Sequence, residues 1–282
     1  MGKLVTAYRA SKILYNFLKS NQERIKKPFL IPANVCSNVP ETLEVAGVNY
    51  RFVDIDVRTL CMDEQYVLDH AKEISGIVMV HTYGVETDFA PFYQQLRAAN
   101  PDILIVDDRC LCMPSFESNT YDAYLVLYSF SEKKQVNLGK GSMAYVSENV
   151  RFEECPIPAQ SFLTNEEWKL NRQNVLTTMD AAIAHKEKLN AIYRKELPKI
   201  IQLPEAYQHW RFNILVPNKE EMMQAIFDAG LFASGHYAPQ SDECPVAAKL
   251  YEHVINLFND EYFTEEQAIK TCEVINGVLC KV

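Results

Sequence analysis

The sequence predicts an α/β chain. A large domain carries a mostly parallel sheet covered by helices on both faces, and a smaller C-terminal α+β domain follows it. Three observations carry this reading. Apolar runs such as Gly76–Val80 and residues 103–106 and 124–130 are continuous rather than alternating, as strands are when both sheet faces are covered. These runs alternate with segments of helical apolar spacing, the pattern of βαβ units. Beyond Pro156 and Pro158 the pattern changes to one long helical stretch followed by short strands and helices.

In order, residues 10–19 place Ile13, Leu14, Phe17 and Leu18 on one face of a 3.6-residue repeat and read as a helix. Residues 29–31 are a short strand. Residues 39–46 form a helix stopped by Gly47, a residue suited to a helix end. Tyr50–Val53 is a strand, 63–72 a helix, Gly76–Val80 a strand and 89–99 a helix. Residues 103–106 form a strand ending on Asp107 and Asp108. Two more strands, 124–130 and 143–146, enclose a glycine-punctuated turn. Residues 165–197 read as one long helix ended by Pro198. Strands are expected at 210–216 and 231–237, and helices at 220–229, 245–257 and 264–279. The last helix opens on a capping box, Thr264-Glu265-Glu266-Gln267. The expected divisions are a large domain over 1–164, an interdomain helix over 165–197 and a small domain over 198–282.

Composition excludes several classes. The 282 residues are 48% hydrophobic and 23% charged, with a formal net charge of −9, and no basic cluster offers a nucleic-acid footprint. No apolar run reaches the roughly 18 residues of a membrane span, and the first residues lack a signal-peptide core, so a cytoplasmic location is expected. The eight cysteines are scattered, and Cys110 and Cys112 form a lone Cys-x-Cys without a second pair, so buried thiols are expected rather than a metal site. No Gly-x-Gly-x-x-Gly opens a βα unit, which argues against a dinucleotide-binding protein.

The most informative stretch is 128–147, where Ser129 lies within the apolar run 124–130 and Lys133 and Lys134 follow before the turn. A lysine at the mouth of a buried turn can be desolvated and partly neutral, and a neutral amine adds to carbonyls. That is the chemistry pyridoxal phosphate requires of a protein.

Several motifs agree with this reading. Residues 30–36 read Leu-Ile-Pro-Ala-Asn-Val-Cys, and 44–56 read Glu-Val-Ala-Gly-Val-Asn-Tyr-Arg-Phe-Val-Asp-Ile-Asp. Val80-His81-Thr82-Tyr83-Gly84 is followed by the strand ending in Asp107-Asp108, then by Ser129-Phe130-Ser131-Glu132-Lys133-Lys134. Weaker matches are Tyr8-Arg9-Ala10-Ser11 before the first helix and Gly235-His236-Tyr237-Ala238-Pro239 near the end. Together they resemble the fold-type I pyridoxal phosphate-dependent sugar aminotransferases of the DegT type, in a short variant, over nearly the whole chain. The resemblance implies amino transfer from an amino acid such as glutamate to a nucleotide-linked keto-sugar, in surface polysaccharide or related sugar biosynthesis, by a homodimer. It implies Lys134 as the catalytic lysine that bonds the cofactor, and Asp108 as the carboxylate on its ring nitrogen. It further implies Ser129, Arg9, Ala10 and Cys36 as cofactor-binding residues. Asp107 and Asp108 should point to opposite faces of their strand. His81 is read as structural.

Some positions depart from the resembled pattern. Leu111 stands where a glutamine usually meets the cofactor's phenolic oxygen, Cys36 where an aromatic often stacks on the ring, and Arg109 where a small residue is usual. Little chain precedes Arg9, so no N-terminal segment is expected to line the site. These departures frame an alternative, a catalytically impaired or non-catalytic binding or regulatory protein on the same fold.

Overall fold

The computed structural model describes residues 2–235 and 237–280. A seven-stranded sheet comprises β1 (Gly2–Ala7), β2 (Phe29–Pro32), β3 (Tyr50–Val53), β4 (Gly76–Val80), β5 (Leu104–Asp108), β6 (Leu125–Ser129) and β7 (Ser142–Ser147), in the spatial order β1-β7-β6-β5-β4-β2-β3. The pairs β2·β3, β2·β4, β4·β5 and β5·β6 are parallel, while β7 runs antiparallel to both β6 and β1. Every residue of β2, β4 and β5 is buried, which explains the continuous apolar runs. Gly76 is required where β4 passes β2. A Cβ there would lie 2.3 Å from the Phe29 ring and 2.7 Å from the Leu104 carbonyl oxygen.

Helices α1 (Ala10–Ser20), α2 (Asn38–Ala46), α3 (Glu64–Asp69) and α4 (Ala90–Ala99) connect these strands. The apolar stripe of α1, Ile13, Leu14, Phe17 and Leu18, is buried as its spacing requires. Helix α2 ends on Gly47 at φ 74°, a left-handed turn suited to glycine. From β3 the chain returns across β2 to β4. That change of direction opens a crevice at the carboxyl ends of the strands, where ligands bind in such sheets.

A second apolar core lies beyond the long helix α5 (Arg172–Glu196). It is built on a small antiparallel sheet of β8 (Phe212–Leu215), β10 (Val254–Leu257) and β9 (Ala233–Ser234), in that order. Helices α6 (Lys219–Asp228) and α8 (Glu265–Leu279) complete this part, while α7 (Pro245–His253) packs Ala247 and Leu250 into the core of the large sheet. Leu189, Tyr193, Phe212, Ile214, Ile255 and Ile275 fill its interior. Both halves of the Thr264–Gln267 capping box form.

Five elements differ from expectation. β1 was not anticipated, because its partner β7 lies far along the chain and its two faces are unevenly buried. α3 stops at Asp69, with a 3-10 turn over Ala71–Glu73. α5 begins at Arg172 rather than at 165. The Asn171 side chain caps it by accepting from Asn174 N, and Trp168 just before it packs on Phe130. Residues 254–257, read as the end of a helix, are the central strand of the small sheet. The run Val-Ile-Asn-Leu is short, apolar and half β-branched, so pairing with β8 and β9 decides its conformation. The strand expected over 231–237 reduces to β9, and His236 lies outside the described residues.

Lys186 of α5 is buried, and its ammonium donates to Trp210 O at 3.0 Å and Asn259 Oδ1 at 2.9 Å. Burial, with the nearby Arg211 charge adding to it, pulls its pKa from 10.5 down to about 7. Between those two values the unfolded chain binds a proton that the folded chain does not. Lys186 therefore makes stability rise with pH across this window, by up to ~1.4 kcal/mol per unit. Below about pH 7 both states carry the proton and the slope vanishes. Urea unfolding of wild type and Lys186→Met should differ in slope between pH 7.5 and 9.5, the variant being flatter. Parallel profiles would refute it.

Candidate active site

The carboxyl edge of the large sheet carries the candidate residues. Asp108 ends β5, Ser129 ends β6, and Cys36 follows β2 in the loop before α2. Arg9 and Ala10 form the start of α1, and Lys134 sits in the turn between β6 and β7. All six line one narrow cavity of about 100 Å³. Through Arg9, Cys36, Asn38, Ser131 and Lys134 this cleft is continuous with a cavity of about 650 Å³. The wall of the larger cavity includes Lys133, Lys140, Trp210, Arg211 and Tyr237.

The lining of the cleft combines several chemistries. No side chain caps α1, so the helix N-terminus presents its positive dipole end. The Ser129 and Ser131 hydroxyls, 3.0 Å apart, belong to the same cavity. Asp108, in the same lining, is 7% exposed, and its Oδ1 accepts from Cys110 N at 2.9 Å, which fixes the carboxylate. Half-buried Lys134 also lines the cleft. This donor set suits a ligand with an anionic group at one end and a basic nitrogen at the other, and pyridoxal phosphate has both.

Asp107 turns to the opposite face, as strand alternation requires. Its Oδ1 lies 2.7 Å from His81 Nε2, and its Oδ2 accepts from Arg109 Nε at 3.0 Å. His81 Nδ1 meets Val85 O at 2.7 Å. Burial alone would raise the Asp107 pKa, but His81 and Arg109 outweigh it and hold the carboxyl below its ordinary value. Asp107, His81 and Arg109 thus form a buried structural network beneath the site. The adjacent cysteine, Cys110, is pushed up by burial and by Asp108, so it stays a neutral thiol.

Sequence reasoning assigned no role to several residues that border the site. Ser131 is two positions from Ser129 and carries the same hydroxyl. Tyr237 stands against Cys36, and burial together with that neighbour raises its phenol pKa. The Gly235-to-Pro239 motif was its only signal. Trp210 and Arg211 reach the larger cavity from the start of the small sheet without any local motif. Leu111, singled out in the sequence as a departure from the resembled pattern, is buried on the wall of the larger cavity, and its carbonyl accepts from Gln135 Nε2 at 2.8 Å.

Among the described residues, no cluster of histidine, cysteine and acidic side chains could hold a metal, and no helix is long and apolar enough to cross a membrane. No family model and no curated protein matches the sequence. Solved structures do match. The candidate sugar aminotransferase Spr1654 from Streptococcus pneumoniae, in its PLP form, superposes with a TM-score of 0.77 at 16% identity, over 99% of this chain and 87% of that one. A DegT DnrJ EryC1 StrS aminotransferase from Brucella abortus gives 0.70 at 15% identity, over 98% and 85%. The E. coli GDP-4-keto-6-deoxy-D-mannose-3-dehydratase with bound hydrated PLP gives 0.70 at 14%, over 97% and 88%. At these identities the likeness shows the fold: the protein has the fold-type I architecture that these pyridoxal phosphate-dependent structures share.

Proposed function

We propose that the protein is a pyridoxal phosphate-dependent aminotransferase that moves an amino group from an amino acid such as glutamate to a nucleotide-linked keto-sugar. The observation that carries this reading is the single cleft that joins a lysine, an oriented carboxylate, two hydroxyls and an uncapped helix start. When bound, the cofactor supplies a reactive carbonyl and an electron sink. Lys134 would bond the cofactor and then serve as the base that carries protons to and from the substrate carbon. The Asp108 carboxylate would hold a proton at the ring nitrogen. Ser129, Ser131 and the first amides of α1 would hold the phosphate. The larger cavity supports an anionic substrate. Arg9, Lys133 and Lys140 are exposed on its wall in a chain of net charge −9, while Arg211 is committed to Asp260 at 2.5 Å.

We further infer a cytoplasmic homodimer acting in surface polysaccharide or related sugar biosynthesis. The test is spectroscopic and chemical. Purified protein given pyridoxal phosphate should show a visible absorbance band that disappears on borohydride treatment and leaves the label on Lys134. Amino transfer from glutamate should then be faster to a nucleotide-linked keto-sugar than to the free sugar, and added salt should narrow the gap. A protein with no band fits the non-catalytic alternative and rejects the proposal.

A further inference from the structure

The peptide bond that joins Lys133 to Lys134 is held from outside its own turn. Lys133 has φ 64°, a left-handed conformation that side chains other than glycine rarely adopt. Such a conformation persists where the surroundings over-determine it. Here Trp210 Nε1 donates to Lys133 O at 2.6 Å, a bond spanning 77 residues of sequence. Trp210 is itself held at two points. Its indole lies parallel to the Tyr83 ring, with 4° between the planes, and its carbonyl accepts from Lys186 Nζ. On the far side of Lys134, Gln135 Nε2 donates to Leu111 O at 2.8 Å. Gly84 permits that approach, because a Cβ there would lie 2.3 Å from Leu111 O and 2.9 Å from Gln135 Nε2. Lys134 is therefore flanked by two anchors, the Lys133 carbonyl and the Gln135 side chain, while its own side chain lines the cleft.

We propose that Trp210 is a positioning residue, whose indole N–H fixes the Lys133–Lys134 peptide and so aims the Lys134 amine into the cleft beside Asp108. The proposal rests on the reading of Lys134 as the cofactor-bonding lysine. It gives residues beyond the long helix a part in assembling the site, since Trp210 leads into β8. A Lys134 without that bond could turn its amine toward the larger cavity, and Lys133, which lines the same cavity, would compete with it.

Trp210→Phe keeps an aromatic face for Tyr83 and removes the donor, and Trp210→His keeps a ring N–H. If the indole of Trp210 is replaced by benzothiophene, in which sulfur takes the place of N–H, the shape is retained should the phenylalanine variant not fold. Three readouts are compared with wild type. The first is the split of borohydride-fixed pyridoxal phosphate between Lys134 and Lys133, by peptide mapping. The second is the pH midpoint of the visible band. The third is amide hydrogen exchange at Lys134 in protein without cofactor. In the variant without the donor, labelling of Lys134 should slow roughly fivefold to tenfold, Lys133 should gain label, the midpoint should move and the Lys134 amide should exchange faster. Trp210→His should recover part of each. Unchanged exchange together with an unchanged label split overturns the positioning role. Faster exchange in a protein whose wild type labels neither lysine upholds the clamp and overturns the cofactor reading instead.

Discussion

Lys134→Ala is expected to abolish borohydride-fixed labelling by pyridoxal phosphate and to lower amino transfer by about 10³-fold or more, whereas Lys133→Ala keeps the label and most of the activity. The two lysines are neighbours of identical chemistry, so sequence spacing alone is a thin basis for choosing between them. Their surroundings separate them. Lys134 is half-buried and lines both the narrow cleft, with Asp108 and Ser129, and the larger cavity. Lys133 is exposed and lines only the outer cavities. An amine that must bond a cofactor held between Asp108 and the start of α1 has to lie within that cleft, and only Lys134 does. Residual turnover in Lys134→Ala would fall to what cofactor binding and orientation supply without a positioned base. Peptide mapping of the fixed label in both variants decides the register. A label retained by Lys134→Ala and lost from Lys133→Ala would shift the site by one residue.

How much of this could be read from the chain depends on whether the information is local. The strand Gly76–Val80 was legible to the residue, because a strand buried on both faces leaves a continuous apolar run bounded by turns, and Tyr50–Val53, at the sheet edge with Arg51 exposed, was legible from its aromatic and β-branched residues. Asp108, Ser129 and Lys134, singled out by motif spacing, line one cleft because each sits at a strand end or in the turn just after one. β10 was not legible. A four-residue apolar run has too little length to distinguish a helical period from a strand, and β8 and β9 on either side of it choose. β1 was missed for the same reason, since its pairing energy comes from β7. Trp210 was illegible as a site residue, and Tyr237 had only the Gly235-to-Pro239 motif to mark it, because both arrive by packing of the C-terminal segment against the large sheet. Nothing in their own neighbourhoods states that an indole will meet Lys133 O or that a phenol will stand against Cys36.

Asp108→Asn is expected to retain a folded protein with bound cofactor and to lose on the order of 10³-fold in turnover. The substitution preserves shape, and the side-chain oxygen can still accept from Cys110 N, so the end of β5 should not move. What disappears is the charge. A carboxylate beside the ring nitrogen stabilises a proton there by a charge-assisted hydrogen bond, and a neutral amide does not. Without that proton the ring withdraws electrons poorly, and the step that removes a proton from the substrate carbon slows. The neighbouring carboxylate supplies an internal control. Asp107 is fully buried against His81 and Arg109, so Asp107→Asn leaves the buried Arg109 guanidinium without its counter-charge and removes the carboxylate that faces the His81 ring. Breaking a buried pair in this way costs about 3–5 kcal/mol of stability. The two substitutions should therefore separate cleanly. Asp107→Asn loses thermal stability and, at a temperature where it remains folded, keeps its visible band and much of its turnover. Asp108→Asn keeps its melting temperature and loses turnover. Melting curves and rates measured on both proteins test the assignment together. If Asp108→Asn turned over at the wild-type rate, the ring nitrogen would have some other partner, and the orientation of the cofactor within the cleft would have to be reversed.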